Sequence, residues 1–251
     1  MPRIGPALFR RFPALAGRIP HHPFLEGPTP VAPLALPGMA GDLWMKRDDT
    51  SCPLYGGNKP RKLEFTVGAA LHRRSRRLVT TGGLGTHHGL ATTILARAAG
   101  LHTTLVLVDQ PLLPEVRRSL LLFVGHGAEV IHGRTVPGAA AGVLFALARS
   151  TLRGERPTLL PTGGSSPAGN LGFVSAALEL AEQVAAGELP EPREIFVAVG
   201  SGGTLAGLAL GLRLAGLASR LVGVLVTDIV PPRPATLARA ARRSLSLLRR
   251  A

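Results

Sequence analysis

The sequence predicts an α/β fold built on a parallel sheet, and two observations lead to this class. Short apolar runs alternate regularly with helical patterns from residue 77 to residue 228. These runs are rich in Val, Leu and Ile without polar alternation, a pattern typical of strands that are buried on both faces. Strands of this kind, joined by crossover helices, pair in parallel beneath the helices that cover them. We therefore expect a layered α/β architecture.

The predicted elements follow one another in a simple order. The strands are 77–81, 103–108, 128–133, 158–161, 194–200 and 221–228. The helices are 90–100, 114–127, 139–154, 173–187 and 204–216. In open parallel sheets, ligands bind beyond the carboxyl ends of the strands. Three strand-to-helix junctions are glycine-rich loops, GGLGTHHG, GGSSPAGNLG and GSGG, so we expect these loops to border one ligand crevice.

Composition narrows the class of protein. The chain has 251 residues, of which 45% are hydrophobic, enough for a substantial core and too many for a disordered chain. The single cysteine, Cys52, excludes an internal disulfide and fits a reducing compartment. We expect a cytoplasmic protein in which Cys52 is an ordinary loop thiol.

The basic charge does not by itself predict a nucleic-acid site. The chain carries 29 Lys and Arg against 15 Asp and Glu, a formal net charge of +14. Almost all of the positive charge is arginine, scattered or crowded into the tail PPRPATLARAARRSLSLLRRA, and only 4% of the residues are aromatic. Few side chains are therefore available for bases to stack on. A solvated basic surface is the preferred interpretation, and we expect no nucleic-acid partner.

One segment resembles a membrane span. Residues 195–212 carry no charge and contain the GxxxGxxxG spacing of close-packed membrane helices. The GSGG sequence divides this segment into a short strand and a separate helix, each too short to cross a bilayer. The N-terminal apolar run is also too short and too interrupted for a signal peptide. We expect no membrane association.

The stretch YGGNKPRKLEF, residues 55–65, places a lysine at an unusual position. Glycine and asparagine favour turns, and proline is favoured at the first helical position because its missing N–H would be unpaired there. Lys59 therefore sits where a loop becomes a helix. A lysine near a phosphate site can simply neutralise charge, and a rigidly held lysine can form a Schiff base with an aldehyde cofactor. The residues alone leave both interpretations open.

A second candidate is the loop Gly200-Ser201-Gly202-Gly203-Thr204. Glycines let backbone N–H groups turn toward a ligand, and the following helix supplies its positive N-terminal dipole. The two hydroxyl groups add donors. The loop is suited to holding a phosphate, although it is neither a dinucleotide fingerprint nor a P-loop. The alternative is a tight turn between packed elements.

Four stretches, taken in order, resemble those of one enzyme family: LWMKRDDTSCPLYGGNKPRKLEF, TTGGLGTHHGLATTILARAAGLHTTLVLV, PTGGSSPAGNLGFVSAALELAEQ and IFVAVGSGGTLAGLALGL. From about residue 29 to residue 228, the chain is similar to the pyridoxal-phosphate-dependent D-cysteine desulfhydrase and 1-aminocyclopropane-1-carboxylate (ACC) deaminase family. The resemblance implies the tryptophan-synthase-β fold, a two-lobed three-layer α/β sandwich. It implies a large cofactor-binding domain over residues 1–64 and 160–251 and a small α/β domain over residues 65–159.

The resemblance also implies a chemistry. The cofactor is pyridoxal 5′-phosphate (PLP), carried by Lys59 as a catalytic residue, with its phosphate on the 200–204 loop. Asn58 and the loop of residues 163–166 lie beside the site. The implied reaction converts a small amino acid, of the D-cysteine or ACC type, to a 2-oxo acid and ammonia by elimination or ring opening. A homodimer is the implied assembly if the fold is complete.

One loop departs from the family pattern. Where the family has Gln-Ser-Asn-His, the chain has Gly85-Thr86-His87-His88. By the resemblance, the serine contacts the substrate and the asparagine bonds the phenolic oxygen of the cofactor. Thr86 keeps a hydroxyl, and His87 replaces the amide with an imidazole that can still donate one hydrogen bond. We interpret Thr86 and His87 as catalytic residues, with His87 also beside the cofactor and preferred over His88. The alternative is that either histidine is structural or exposed, and no metal site is expected because the pair lacks cysteine partners.

The end of the chain is a second departure. Family members continue further, and their last segment supplies an aromatic side chain over the cofactor and a partner for its pyridine nitrogen. The chain ends at LARAARRSLSLLRRA with neither. We therefore expect a C-terminally truncated form of the fold that binds PLP weakly and turns over slowly. The alternative function is a non-catalytic or weakly active fragment of such an enzyme.

Overall fold

The computed structural model describes residues 5–38, 42–226 and 232–251. The helices in these ranges are α1 (Ala7–Arg11), α2 (Lys59–His72), α3 (His87–Ala98), α4 (Pro114–Gly125), α5 (Val136–Leu152), α6 (Pro167–Ala185), α7 (Gly203–Ala215) and α8 (Pro234–Arg250). The strands are β1 (Val31–Pro33), β2 (Trp44–Lys46), β3 (Arg77–Gly83), β4 (His102–Val108), β5 (Glu129–Arg134), β6 (Thr158–Leu160), β7 (Glu194–Val199) and β8 (Arg220–Leu225).

Strands β3 to β6 form one parallel sheet in the order β5-β4-β3-β6. The central pair, β3 and β4, runs from Arg77 opposite His102 to Gly83 opposite Val108. The strands predicted at 77–81, 103–108, 128–133 and 158–161 all lie in this sheet. The predicted parallel α/β fold is therefore confirmed.

Helices cover both faces of this sheet, because successive residues of a strand point to opposite sides. Val79 and Val106 pack beneath α5 against Ala139. Leu105 faces the other side and packs with Phe123 of α4. The sheet and its helices form three layers, and at their carboxyl ends β3 and β6 lead into two of the glycine-rich loops.

Strands β7 and β8 form a separate two-stranded parallel sheet, from Glu194 opposite Arg220 to Val199 opposite Leu225. The uncharged segment 195–212 is divided between β7 and α7, as its glycines predict. Among the described residues, no helix combines the length and the hydropathy needed to cross a bilayer. The strand predicted at 221–228 is present up to Leu225, and its last two residues lie outside the described ranges.

The loop GGSSPAGNLG is shorter than predicted. We expected a helix from residue 173, but α6 begins at Pro167. Proline in the first turn and the cap Ser166, whose Oγ accepts from the Gly169 N–H at 3.0 Å, start the helix earlier. A Cβ on Gly172 would lie 2.1 Å from the Arg61 carbonyl oxygen. The prediction was wrong because the later glycines of this stretch allow α6 to approach neighbouring backbone.

A second core lies around α6. Helix α6 packs against α1, α2, α7 and α8, and Leu8, Phe65, Leu171 and Val174 are buried there. Cys52 is buried in the core beside α2 and α3. The division into domains at residues 64/65 and 159/160 stays a prediction, since α2 and β6 each cross one of these boundaries.

Candidate active site

Lys59 is the first residue of α2, at the loop-to-helix junction that the sequence predicts. Gly57 is in the left-handed region with φ +91°, and a Cβ on Gly56 would lie 2.1 Å from the Asp49 carbonyl oxygen. Both glycines are therefore required by the turn. The Ser51 hydroxyl donates to the Gly57 carbonyl at 2.7 Å. The loop that leads to Lys59 is consequently stiff.

The Lys59 amine is partly buried and has an amide oxygen as its hydrogen-bond acceptor. Nζ donates to Oδ1 of Asn58 at 2.8 Å. Burial lowers the pKa of Lys59, because a charged amine loses hydration when it leaves water. The neutral amine that this favours is the form that attacks a carbonyl carbon or accepts a proton.

Lys62 lies one turn after Lys59 and joins the site, although its motif alone assigns it no role. Its Nζ donates to the Gly163 carbonyl at 3.1 Å and to Oγ of Ser165 at 3.4 Å. Burial, and after it the charge of Lys59, lowers the pKa of Lys62 to about 7. The chain has only three lysines, and two of them meet here. The i, i+3 spacing, which places both on one helix face, was the available sequence signal.

His88 is the histidine buried beside these lysines, whereas His87 is exposed. Neither ring nitrogen of His88 has a hydrogen-bond partner within the described part of the chain. Burial, followed by the charges of Lys59 and Lys62, lowers the pKa of His88 to about 3, so the ring is neutral at physiological pH. Buried polar atoms nearly always have a partner. The unpaired ring nitrogens therefore mark a place suited to polar ligand atoms.

Thr86 and His87 lie at the start of α3. Oγ1 of Thr86 caps this helix by accepting from the Gly89 N–H at 3.2 Å. Nδ1 of His87 lies 3.0 Å from the phenol oxygen of Tyr55. Because Tyr55 belongs to the loop before Lys59, this contact joins the start of α3 to the lysine junction.

The 200–204 loop connects β7 to α7. Its Ser201 Oγ lies 2.7 Å from Oγ of Ser165, and a Cβ on Gly203 would lie 2.3 Å from the same oxygen. Lys62 also contacts Ser165, so this serine links the loop to α2. The first N–H groups of α7 have no partner inside their own helix, and they lie at the positive end of its dipole.

Gly202 lies where this loop packs closely against α8. Its φ is +82°, and a Cβ there would lie 2.5 Å from Cδ2 of Leu237 and 3.2 Å from Pro232. Leu237 belongs to α8, so that helix supports the loop from the side of Gly202. At Gly200, by contrast, no described residue other than its chain neighbours has a heavy atom within 4 Å of the position where a Cβ would be.

The KRDD and RKLEF motifs provide a buried ion network. Arg61 is 2% exposed and donates to Asp48 at 2.8 Å and to Glu179 at 3.0 Å. Lys46 Nζ lies 2.6 Å from Glu179. Burial by itself would raise the pKa of Glu179, but Arg61 and Lys46 hold it at about 2. The network anchors the first turn of α2 and therefore the position of Lys59.

The residues present fit PLP. In the described ranges, neither Lys59 nor Lys62 has a carboxylate partner. A phosphate near Lys62 and the start of α7 would meet an amine donor and a helix dipole, and an aldehyde near Lys59 would meet an amine whose pKa is lowered by burial. The unpaired ring of His88 fits the presence of polar ligand atoms at the same place.

Comparison with known proteins establishes the family. Residues 23–245 match the family described as pyridoxal-phosphate dependent enzyme. The chain is 35% identical over 242 residues to D-cysteine desulfhydrase of Salmonella paratyphi C (strain RKS4594), covering 92% of this chain and 72% of that protein. It is 35% identical over 212 residues to nocardicin C-9′ epimerase of Nocardia uniformis subsp. tsuyamanensis, covering 83% of this chain and 64% of the epimerase.

A solved structure shows the same fold. The crystal structure of an ACC deaminase homologue has a TM-score of 0.80 and 31% identity to this chain, covering 98% of this chain and 73% of that one. The chain therefore belongs to the family of pyridoxal-phosphate-dependent enzymes. Its fold is the tryptophan-synthase-β-like fold of ACC deaminase relatives, and PLP is the cofactor of its family. The predicted family, fold class and cofactor are confirmed.

Proposed function

We propose that this chain is a PLP-dependent lyase or deaminase that converts a small amino acid, of the D-cysteine or ACC type, to a 2-oxo acid and ammonia. The observation that carries the proposal is the link between the stiff lysine junction and the 200–204 loop. The charge of Lys59 acts on Lys62, and Lys62 reaches that loop through Ser165, which contacts Ser201. The similarity to D-cysteine desulfhydrase supports the substrate class.

Two groups of residues would hold the cofactor. The Gly200–Thr204 loop would bind its phosphate through the first N–H groups of α7 and the hydroxyls of Ser201 and Thr204, with Lys62 as the cationic partner. Asn58 and His87 would lie beside its ring. Ser165 contacts both Lys62 and Ser201, so it would hold Lys62 and the 200–204 loop at a fixed distance across the phosphate site.

Lys59 would perform the proton chemistry. Its amine would hold the cofactor through the aldehyde. ACC carries no proton on Cα, so with that substrate Lys59 would move protons at the ring methylene carbons. With a D-cysteine-type substrate, Lys59 would accept the Cα proton as sulfide leaves Cβ, and water would hydrolyse the resulting enamine to the 2-oxo acid and ammonia. When bound, the cofactor supplies an electron-withdrawing ring that takes up the electrons left behind by that proton. The Thr86 hydroxyl would contact the substrate.

A labelling experiment tests the assignment of Lys59. Protein mixed with PLP should develop a visible absorbance band, and borohydride reduction followed by peptide mass mapping should place the label on Lys59. Lys59→Ala should abolish both results, whereas Lys62→Met should weaken PLP binding and leave the label on Lys59. With three lysines in the chain, a label on Lys62 or on Lys46 would refute the assignment unambiguously.

Product analysis tests the reaction. D-Cysteine should yield sulfide and pyruvate, and ACC should yield ammonia and a 2-oxo acid, each only in the presence of PLP and of Lys59. Inversion of an amino acid at Cα without elimination would instead support the activity named for the epimerase relative. The proposal would then be wrong about the reaction while remaining right about the cofactor.

A second candidate is that the 251-residue chain binds PLP weakly and turns over slowly or not at all. The observation that favours it is the exposure of apolar side chains on the β7–β8 sheet, where Phe196 is 63% exposed and Leu225 53% exposed. Strand β7 leads directly into the 200–204 loop, so a loosely packed sheet would hold that loop less rigidly. Turnover of D-cysteine at about 1–1000 per second, an ordinary enzymatic rate, would exclude this candidate.

A further inference from the structure

Tyr55 and His87 form a hydrogen-bonded pair at the edge of the candidate site. The phenol oxygen of Tyr55 lies 3.0 Å from Nδ1 of His87. Tyr55 is the single tyrosine of the chain, four residues before Lys59, and it packs against two of the hydrophobic cores. Its ring is therefore fixed by packing, and the position of its oxygen is set before any ligand is considered.

Either partner of the Tyr55–His87 contact can be the donor, depending on the tautomer of His87. A phenol has one proton, and among the described residues its two acceptors are Nδ1 of His87 at 3.0 Å and the His87 carbonyl oxygen at 3.4 Å. The carbonyl is the weaker choice, because the contact is long and because a carbonyl in the first turn of α3 accepts from the N–H four residues later. Burial raises the pKa of Tyr55, which keeps the phenol protonated and able to donate.

A neutral imidazole that accepts at Nδ1 must carry its proton on Nε2. We propose that Tyr55 is a positioning residue that fixes His87 in the Nε2–H form, so that the ring presents one defined donor at the site. This inference rests on the proposed function, in which His87 takes the place of an amide donor beside the cofactor. An amide nitrogen always donates, whereas an imidazole nitrogen donates only in the correct tautomer. Tyr55 supplies the missing constraint.

The tautomer is measurable in the whole chain without cofactor. Nitrogen-15 NMR of histidine-labelled protein, at a pH where histidine is neutral, distinguishes Nδ1 from Nε2 as the protonated atom. The His87 signals are assigned by their loss in His87→Asn. We expect Nε2 to carry the proton in the native chain, and we expect the Nδ1 signal to move in Tyr55→Phe as its hydrogen bond is lost. Thr50→Val is the matched control, because it removes a hydroxyl from the segment just before Tyr55 that, among the described residues, bonds to the Arg47 carbonyl alone.

A proton on Nδ1 in the native chain would overturn the inference, and so would an unchanged Nδ1 signal in Tyr55→Phe. Either result can be obtained whether or not the protein binds PLP. The proposed tautomer of His87 can therefore be refuted without refuting the proposed function.

A double-mutant comparison tests the consequence for the cofactor. Tyr55→Phe should weaken PLP binding about two- to tenfold, the range for loss of one hydrogen bond. In a His87→Asn background the same change should have no effect, because an amide needs no tautomeric control. An equal effect in both backgrounds would show that the Tyr55 hydroxyl acts independently of His87 and would overturn the positioning role. A chain that binds no PLP in any variant would refute the proposed function, and the NMR result would still decide the tautomer.

Discussion

The two sides of the candidate site are supported in different ways. On the lysine side, the start of α2 is anchored by a buried ion network in which Arg61 is 2% exposed. On the loop side, the 200–204 loop follows a two-stranded sheet whose apolar side chains, including Phe196 and Val224, are exposed. Leu237 of α8 supports the loop from behind. The lysine side therefore depends on buried charges, and the loop side depends on a few packing contacts.

The largest effect is expected from breaking the network on the lysine side. Arg61→Met leaves the carboxylates of Asp48 and Glu179 without their shared partner in a buried place. Removing one partner of a buried pair costs about 3–5 kcal/mol of the free energy of unfolding, measurable by chemical denaturation. Arg47→Ala, which breaks the exposed Arg47–Asp49 pair, is the control and should change stability little. Equal losses of the free energy of unfolding in the two variants would show that the buried ion pairs contribute no more to stability than the exposed one.

The next effect concerns Lys62 and pH. Its pKa is about 7 in the folded chain against an ordinary value of 10.5, so between these pH values the unfolded chain binds the additional proton. The free energy of unfolding should therefore rise with pH across this window. Lys62→Met should remove this rise and be the more stable protein near pH 7, by on the order of a few kcal/mol. Denaturation of both proteins at pH 7 and at pH 10 measures the slopes, and parallel slopes would contradict the burial argument.

A smaller effect is expected on the loop side. Gly202→Val forces a β-branched residue to φ +82° and brings its Cβ against the end of the Leu237 side chain, so the backbone before α7 is strained and Leu237 must move. PLP affinity should fall tenfold or more, given about 1.5–3 kcal/mol for each charge-assisted bond to the phosphate. The matched control is Gly216→Ala, which has the same strained backbone at φ +78° at the other end of α7 and no nearby heavy atom. It should cost stability and leave PLP affinity unchanged; unchanged affinity in Gly202→Val would place the phosphate elsewhere.

The smallest effect is expected at the exposed face of the β7–β8 sheet. Phe196→Ser should change the free energy of unfolding by no more than about 0.5 kcal/mol, because most of the ring is already in water. Val199→Ser, on the same strand but 5% exposed, should cost about 2–4 kcal/mol through lost burial and an introduced hydroxyl. Chemical denaturation of the two variants measures the difference between their free energies of unfolding. A large loss in Phe196→Ser would mean that this face is covered in solution, for instance in the homodimer that the family resemblance implies.

Local patterns in the sequence predicted most of the scaffold. The runs of Val, Leu and Ile predicted the strands of the four-stranded sheet. Burial on both faces holds for the central strands β3 and β4, whereas β5 at the edge alternates between half-buried and exposed residues, and β7 and β8 consist mostly of half-buried or exposed residues. The end of one loop was predicted wrongly, because Gly169 and Gly172 suggest a turn by composition but lie within α6. Their use in close packing depends on α2, a neighbour that a local pattern does not include.

For a related reason, the sequence predicted some residues of the candidate site and missed others. Lys59 stands out because turn residues and Pro60 adjoin it directly. His88 does not stand out, since its burial depends on where α2 and the 163–166 loop lie. Lys62 is similar, because its two acceptors are about a hundred positions further along the chain.

The sequence by itself determined the parallel α/β class, the stiff lysine junction and the glycine-rich 200–204 loop, because each depends on residues that are close together in the chain. Only the tertiary structure decided which side chains meet. It buried Lys62 and His88 together, tied Arg61 to Glu179 across 118 positions, and placed Tyr55 against His87. Burial and long-range contacts set the charge, the tautomer and the direction of these groups, and a linear pattern carries no information about such distances.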